Sequence, residues 1–127
     1  MKSILLDTHI LLWWLADNAR LTKKVKSAIA NPDNVVYTSP ASIWEASIKR
    51  ALGRREFDDK KLLTAIESSG FREVVITMQH GQVAGNLPRY HEDPFDRMLI
   101  AQAQVNNLTI ITHDKQFKHY DISVIWG

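Results

Sequence analysis

Four acidic residues stand where apolar runs of this chain give way to turns or helices: Asp7 after Ile4-Leu5-Leu6, Glu45 in Ser42-Ile43-Trp44-Glu45, Asp96 in Pro94-Phe95-Asp96-Arg97, and Asp114 after Ile110-Ile111-Thr112-His113. A carboxylate at the end of a buried strand must reach water or meet a cation, because an unpaired buried charge costs several kcal/mol or forces protonation. In an open parallel α/β sheet the carboxyl ends of the strands line one crevice, where ligands bind. Asp7 and Asp114 both fall at such an edge. Several acids converging there imply a cation.

Apolar periodicity supplies the sheet. Ser3 to Leu6 reads as a short buried strand, and Thr8 to Ala16 as a helix with the stripe Leu11, Leu12, Trp14, Leu15. Leu21 to Ala30 is amphipathic and opened by Thr22; Val35 to Thr38 is a second strand. Ser39-Pro40 opens a helix to about Leu52 that stops at Gly53, since serine caps well and proline suits the first helical position. Asp58 or Asp59 opens a fourth helix through Ser68, followed by a β-branched strand from Glu73 to Thr77. Met78 to Asn86 is a short helix, Leu87 to Glu92 a loop, and Asp93-Pro94 begins a long helix to about Asn106. Thr109 to Thr112 and Ser123 to Trp126 are the last strands, with Asp114 to His119 a turn or one helical winding between them. Strands alternating with helices predict right-handed crossovers and an α/β fold of three α/β/α layers around a mostly parallel sheet of about five strands.

A chain of 127 residues, 45% hydrophobic, is the size of one domain spanning 1–127 with its own core. There is no cysteine, so any metal must be held by oxygen or imidazole. No apolar run approaches the roughly 20 residues that span a bilayer, and Met1-Lys2-Ser3 leads straight into a strand; a soluble, unprocessed, cytoplasmic protein with no membrane partner is expected. The formal net charge is +2 and the sequence pI about 9.0, so a crevice of carboxylates is offset by basic surface elsewhere. That split suits a polyanionic substrate.

Each acid also has an ordinary reading. Glu45 could pair with Lys49 at i,i+4, worth about 0.2 to 0.5 kcal/mol. Asp96 could stabilise a helix dipole by about 0.3 to 1 kcal/mol, although Asp93 suits that position better. Asp7 could cap the following helix, and Asp114 could form an Asx-turn. On helical spacing Glu45 shares a stripe with Ile48 and Leu52, and Asp96 with Leu99, Ile100 and Ala103, so both lean toward the core.

The segments Asp7-Thr8-His9-Ile10-Leu11-Leu12-Trp13-Trp14, Ser39 to Lys49, His91-Glu92-Asp93-Pro94-Phe95-Asp96-Arg97-Met98-Leu99-Ile100-Ala101 and Thr112-His113-Asp114, in this order, resemble a PIN-domain ribonuclease, specifically a VapC-type toxin of a type II toxin-antitoxin pair. The resemblance covers nearly the whole chain. It implies a catalytic, metal-holding quartet of Asp7, Glu45, Asp96 and Asp114, with Asp7 and Asp96 the most direct ligands. It further implies Mg²⁺ or Mn²⁺, an RNA substrate, a cognate antitoxin reaching the metal site, and a homodimer. The chemistry agrees: both ions favour hard oxygen ligands and commonly bridge to substrate phosphate. Two unit charges about 4 Å apart repel by roughly 4 kcal/mol at an effective dielectric of 20, so the empty quartet should raise some pKa values.

Candidate substrate contacts are Thr8, Lys49, Arg50, Arg97, Thr112 and His113, with Arg54, Arg55, Arg89, Lys115 and Lys118 as further phosphate-binding positions. His9 abuts an acid as His113 does. His80, His91 and His119 read as loop or surface residues. Tandem Trp13-Trp14 cannot both face inward on one helix, which points to an interface there, with Trp14 the test position; Trp44 lies beside it. Two other classes remain open. A receiver-like phosphoacceptor domain would need paired acids after the first strand and a lysine after the fifth, neither of which is present. A PIN-like module that holds RNA or protein without turnover is separated from a nuclease only by measuring cleavage.

Overall fold

The computed structural model describes Met1–Gly127. Its elements follow the alternation in the sequence: β1 (Ser3–Leu6), α1 (Thr8–Leu15), α2 (Lys23–Ala30), β2 (Val35–Thr38), α3 (Pro40–Ala51), α4 (Asp59–Ser68), β3 (Arg72–Glu73), α5 (Met78–Asn86), α6 (Pro94–Asn106), β4 (Thr109–Thr112), a 3₁₀ turn (Lys115–His119) and β5 (Val124–Trp126). All neighbouring strands are parallel, in the order β3-β2-β1-β4-β5. The chain therefore builds outward from β1 to one edge and then returns to the other side. The reversal falls between β1 and β4, the switch point where open α/β sheets bind ligands.

Alternation along the central strands sorts the core into two layers. Ile4, Leu6 and Ile111 face a cluster with Ile10, Leu11, Val25, Phe57 and Leu62 from α1, α2, α4 and the segment before α4. Leu5 and Ile110 face the opposite cluster, with Leu99, Ile100, Ala103 and Phe117. Because both faces are covered, the central strands are apolar without interruption.

Local chemistry sets the helix starts. Thr22, Ser39, Asp58, Thr77 and Asp93 each accept a backbone N–H from the first turn of their helix. Pro40 and Pro94 occupy first-turn positions whose N–H has no intrahelical partner. Gly53, just past α3, has φ +91°, a conformation that favours glycine.

Two expectations are corrected. The strand expected from Glu73 to Thr77 is only Arg72–Glu73. Its partner β2 stops at Thr38, where Ser39 caps α3; once the Val74 N–H has bonded the Thr38 carbonyl at 3.0 Å, no neighbouring edge remains. Val75 and Ile76 are consequently exposed. The α3 stripe is also different: Ala41, Ser42, Glu45 and Ala46 are buried, whereas Ile48 and Leu52 are exposed. Trp13 and Trp14, expected not to be both inward, are both half-buried. Trp13 packs edge-on against His113 with the Arg20 guanidinium 5.8 Å from its ring, and Trp14 lies against Phe71. The exposed tryptophans are Trp44 and, at the end of β5, Trp126.

Candidate active site

The site is assembled at the carboxyl ends of β1 and β4. Asp7 follows β1 directly and caps α1: its Oδ1 accepts the Ile10 N–H at 2.8 Å. Its Oδ2 accepts a short hydrogen bond from the Thr112 hydroxyl at the end of β4. The same Thr112 Oγ1 accepts the Asp114 N–H at 3.0 Å, so one buried threonine ties together the acids that follow the two central strands. Asp114 in turn accepts the Gln116 N–H and caps the 3₁₀ turn.

Asp96 enters from the first turn of α6. Asp93 takes the capping role, its Oδ1 accepting the N–H groups of Phe95 and Asp96 at 2.8 and 3.1 Å, which frees the Asp96 side chain. Glu45 comes from the buried face of α3. Burial pushes the Asp96 carboxyl up to about 8, helped by the negative charges of Asp93, Asp7, Glu45 and Asp114. Asp7 is likewise raised, mainly by burial and against the hydrogen bond from Thr112. Asp96 therefore feels the charges of acids from three distant segments, and Asp7 feels that of Asp114.

The donors suit a divalent cation. Glu45 Oε2 meets Lys49 Nζ at 2.6 Å, but its Oε1 is buried with no hydrogen-bond partner. The closest-gathered ligand atoms are those of His91, Asp96 and Asp114, all within 4.8 Å of one another, and the charge of Glu45 also acts on Asp96. A buried carboxylate oxygen without a partner beside such a cluster is a costly arrangement that a hard cation relieves.

A histidine completes the cluster, and the sequence reading missed it. His91, expected at the surface, is buried, with Nε2 2.8 Å from Asp114 Oδ2 and 3.0 Å from Asp96 Oδ2. Two long-range clamps put it there. Arg97 donates from Nη1 to the Pro88 and His91 carbonyls, and from Nη2 to those of Ala84 and Leu87. Tyr120 donates its hydroxyl to the Pro88 carbonyl at 2.6 Å and accepts the His91 N–H at 2.8 Å. The only clue in the sequence is position, since His91 lies just before the cap of the helix that carries Asp96. His80 is also buried rather than superficial; it forms a capping box with Thr77 and meets Asn106 Oδ1 at 2.7 Å. His119 is exposed and stacks on Tyr90.

The expected substrate contacts divide. Thr8 is buried and donates to Ser42 Oγ at 2.9 Å, joining α1 to α3, and Thr112 is fully buried between Asp7 and Asp114. Neither offers a group to an incoming molecule. Arg97 spends its guanidinium on the loop carbonyls. Lys49 pairs with Glu45, Arg50 with Asp58 and Arg54 with Glu56. His113 is exposed, its Nδ1 3.0 Å from the Gly127 carbonyl, and His9 packs edge-on to Phe57. Arg55, Arg89, Lys115 and Lys118 are exposed, and none joins an ion pair.

Residues 4–123 match the PIN domain, and the chain belongs to that family. Among curated proteins it is similar to Ribonuclease VapC22 of Mycobacterium tuberculosis, 27% identical over 94% of this chain and 93% of the relative. Among solved structures it is similar to VapBC2 of Rickettsia felis bound to a promoter DNA fragment, with TM-score 0.73, 14% identity and 98% of each chain covered. A toxin-antitoxin complex from Klebsiella pneumoniae superposes with TM-score 0.66 and 23% identity over 96% of this chain and 95% of that one.

Proposed function

We propose that this PIN-domain protein is a metal-dependent endoribonuclease toxin, acting as one domain and neutralised by a cognate antitoxin. The observation that carries the reading is the buried, unpartnered Glu45 Oε1 together with Asp96, whose carboxyl is raised to about 8 by burial and by acidic neighbours that include Glu45. Similarity to a ribonuclease over nearly the full length supports RNA as the substrate.

Asp7, Glu45, Asp96 and Asp114 would hold Mg²⁺ or Mn²⁺. When bound, the ion supplies charge neutralisation and Lewis acidity at the scissile phosphate. Thr112 fixes the spacing of Asp7 and Asp114, and the Asp93 cap leaves Asp96 free to turn into the pocket. Arg55, Arg89, Lys115 and Lys118 supply phosphate contacts that position the strand without reading bases.

A structure of similar fold is a toxin-antitoxin complex, which supports the same kind of partner here. A homodimer is part of the same proposal. Trp44 marks the docking face. It is 62% exposed and packs edge-on to Phe95, beside an apolar groove of about 260 Å³ lined by Ala41, Ile76, Pro94 and Met98 among others.

The test is incubation of the full chain with structured RNA and Mg²⁺ or Mn²⁺, beside Asp7→Asn and Asp96→Asn. Metal-dependent internal cleavage lost in both variants is expected. RNA binding without cleavage would favour a non-catalytic module, and cleavage persisting in the variants would defeat the assignment.

A further inference from the structure

The metal site proposed above leaves His91 without a role, although its ring nitrogen touches two of the four acids. The geometry decides what that ring can do. The Asp93 N–H donates to His91 Nδ1 at 3.2 Å, so Nδ1 presents its lone pair. A neutral imidazole then carries its single hydrogen on Nε2. That hydrogen points into the acid cluster, donating to Asp114 Oδ2 at 2.8 Å with Asp96 Oδ2 3.0 Å from the same nitrogen. Ligation through Nε2 would require moving the hydrogen to Nδ1, where it would confront the Asp93 N–H donor. The ring has little freedom to turn away. It is buried, packs edge-on against Phe117, and sits in a loop held by Arg97 and Tyr120.

We infer that His91 is a positioning residue of the metal centre: its Nε2 hydrogen holds Asp114 and Asp96 in register for the ion, and the imidazole is not itself a ligand. Asp114 comes from the turn after β4 and Asp96 from α6, so no backbone segment fixes the distance between them. Groups that hydrogen-bond to metal ligands set their orientation, and losing one typically lowers metal affinity by about 10- to 100-fold. One hydrogen cannot neutralise two carboxylates, which leaves the site its need for a cation.

The inference rests on the metal-dependent reading, so its test uses Mn²⁺ alone, without RNA, on the full chain. Long-range ¹H–¹⁵N spectra of the metal-free protein should show His91 protonated on Nε2 and bare on Nδ1. Pulsed EPR of the Mn²⁺ complex should show no directly bonded nitrogen. His91→Phe keeps a ring against Phe117 but removes the donor; it should weaken Mn²⁺ binding by about 10- to 100-fold. His91→Gln, which can place an amide N–H near the same point, should restore most of the loss. A strong nitrogen coupling in the wild type that disappears in both variants, an Nδ1–H tautomer, or unchanged Mn²⁺ affinity in His91→Phe would each overturn the inference. No Mn²⁺ binding by the wild type would remove the metal centre together with it. Mn²⁺ binding that depends on His91 without any RNA cleavage would remove only the ribonuclease reading.

Discussion

Thr112 and Asp7 are 105 positions apart in sequence, yet the threonine hydroxyl donates directly to the aspartate carboxylate across the two central strands. The contact depends on register. Leu6 pairs with Ile111, so the residue that follows each lies at the same level of the sheet. With Asp114 N–H as its second partner, Thr112 links strand pairing to the geometry of the acids.

Thr112→Val keeps the shape and removes both hydrogen bonds. A buried carboxylate oxygen and a backbone N–H lose their partner, at a cost of about 1 to 3 kcal/mol. Denaturant unfolding should show the unfolding free energy falling by that amount, through a lower midpoint at unchanged slope, and Mn²⁺ affinity should fall with it.

Asp96 should make the metal-free protein less stable as pH rises. Its carboxyl is raised from 3.8 to about 8 in the folded state, so between those values the folded chain holds a proton that the unfolded chain has lost. Stability from this group is therefore fully present below about pH 4 and lost as pH approaches and passes about 8, with a slope of at most about 1.4 kcal/mol per pH unit for one proton. Asp96→Asn should flatten that part of the curve and be more stable than wild type at pH 8 in chelator. Added Mn²⁺ should stabilise the wild type and not the variant.

Arg97 is expected to affect folding rather than RNA contact. Its guanidinium satisfies the Ala84 carbonyl of α5 and those of Leu87, Pro88 and His91 in the loop beneath the site, and bonds to a charged group of this kind contribute about 1.5 to 3 kcal/mol each. Arg97→Gln should lower stability by roughly 2 kcal/mol or more. Arg97→Lys should not recover it, because an ammonium lacks the planar fork.

Arg89 and Lys118 should behave in the opposite way. Each is exposed and outside any ion pair, so Ala substitution should leave stability within about 0.5 kcal/mol. RNA binding by catalytically silent Asp96→Asn protein should weaken, with the salt-dependence slope falling by about 1 for each phosphate contact removed.

Trp44→Ala should leave folding nearly intact, since most of that side chain faces solvent, and should weaken antitoxin binding measured by calorimetry. Trp14→Ala should instead lower stability, through its packing on Phe71.

The parts of the fold that the sequence made legible are those decided locally. A capping side chain two or three residues before a backbone N–H, or proline at a first helical turn, can be read at Ser39-Pro40 and Asp93-Pro94 without knowing the neighbours. β3 failed because its length is set by where β2 ends, a fact about another segment. His91 failed for the same reason: Arg97 and Tyr120 aim it, and the loop from Leu87 to Glu92 has no periodicity to give the direction away. The four acids could be listed in order, whereas the duties of Thr8, Thr112 and Arg97 depend on partners found only in the folded chain.

The central claim is that carboxylates from β1, α3, α6 and the turn after β4 share one divalent ion. Anomalous scattering from crystals grown with Mn²⁺ tests it most directly. The account predicts a manganese peak within coordination distance of Asp96 and of Glu45 Oε1, bordered by Asp7 and Asp114. Manganese bound elsewhere, or those oxygens turned into separate solvent-filled clefts, would contradict it.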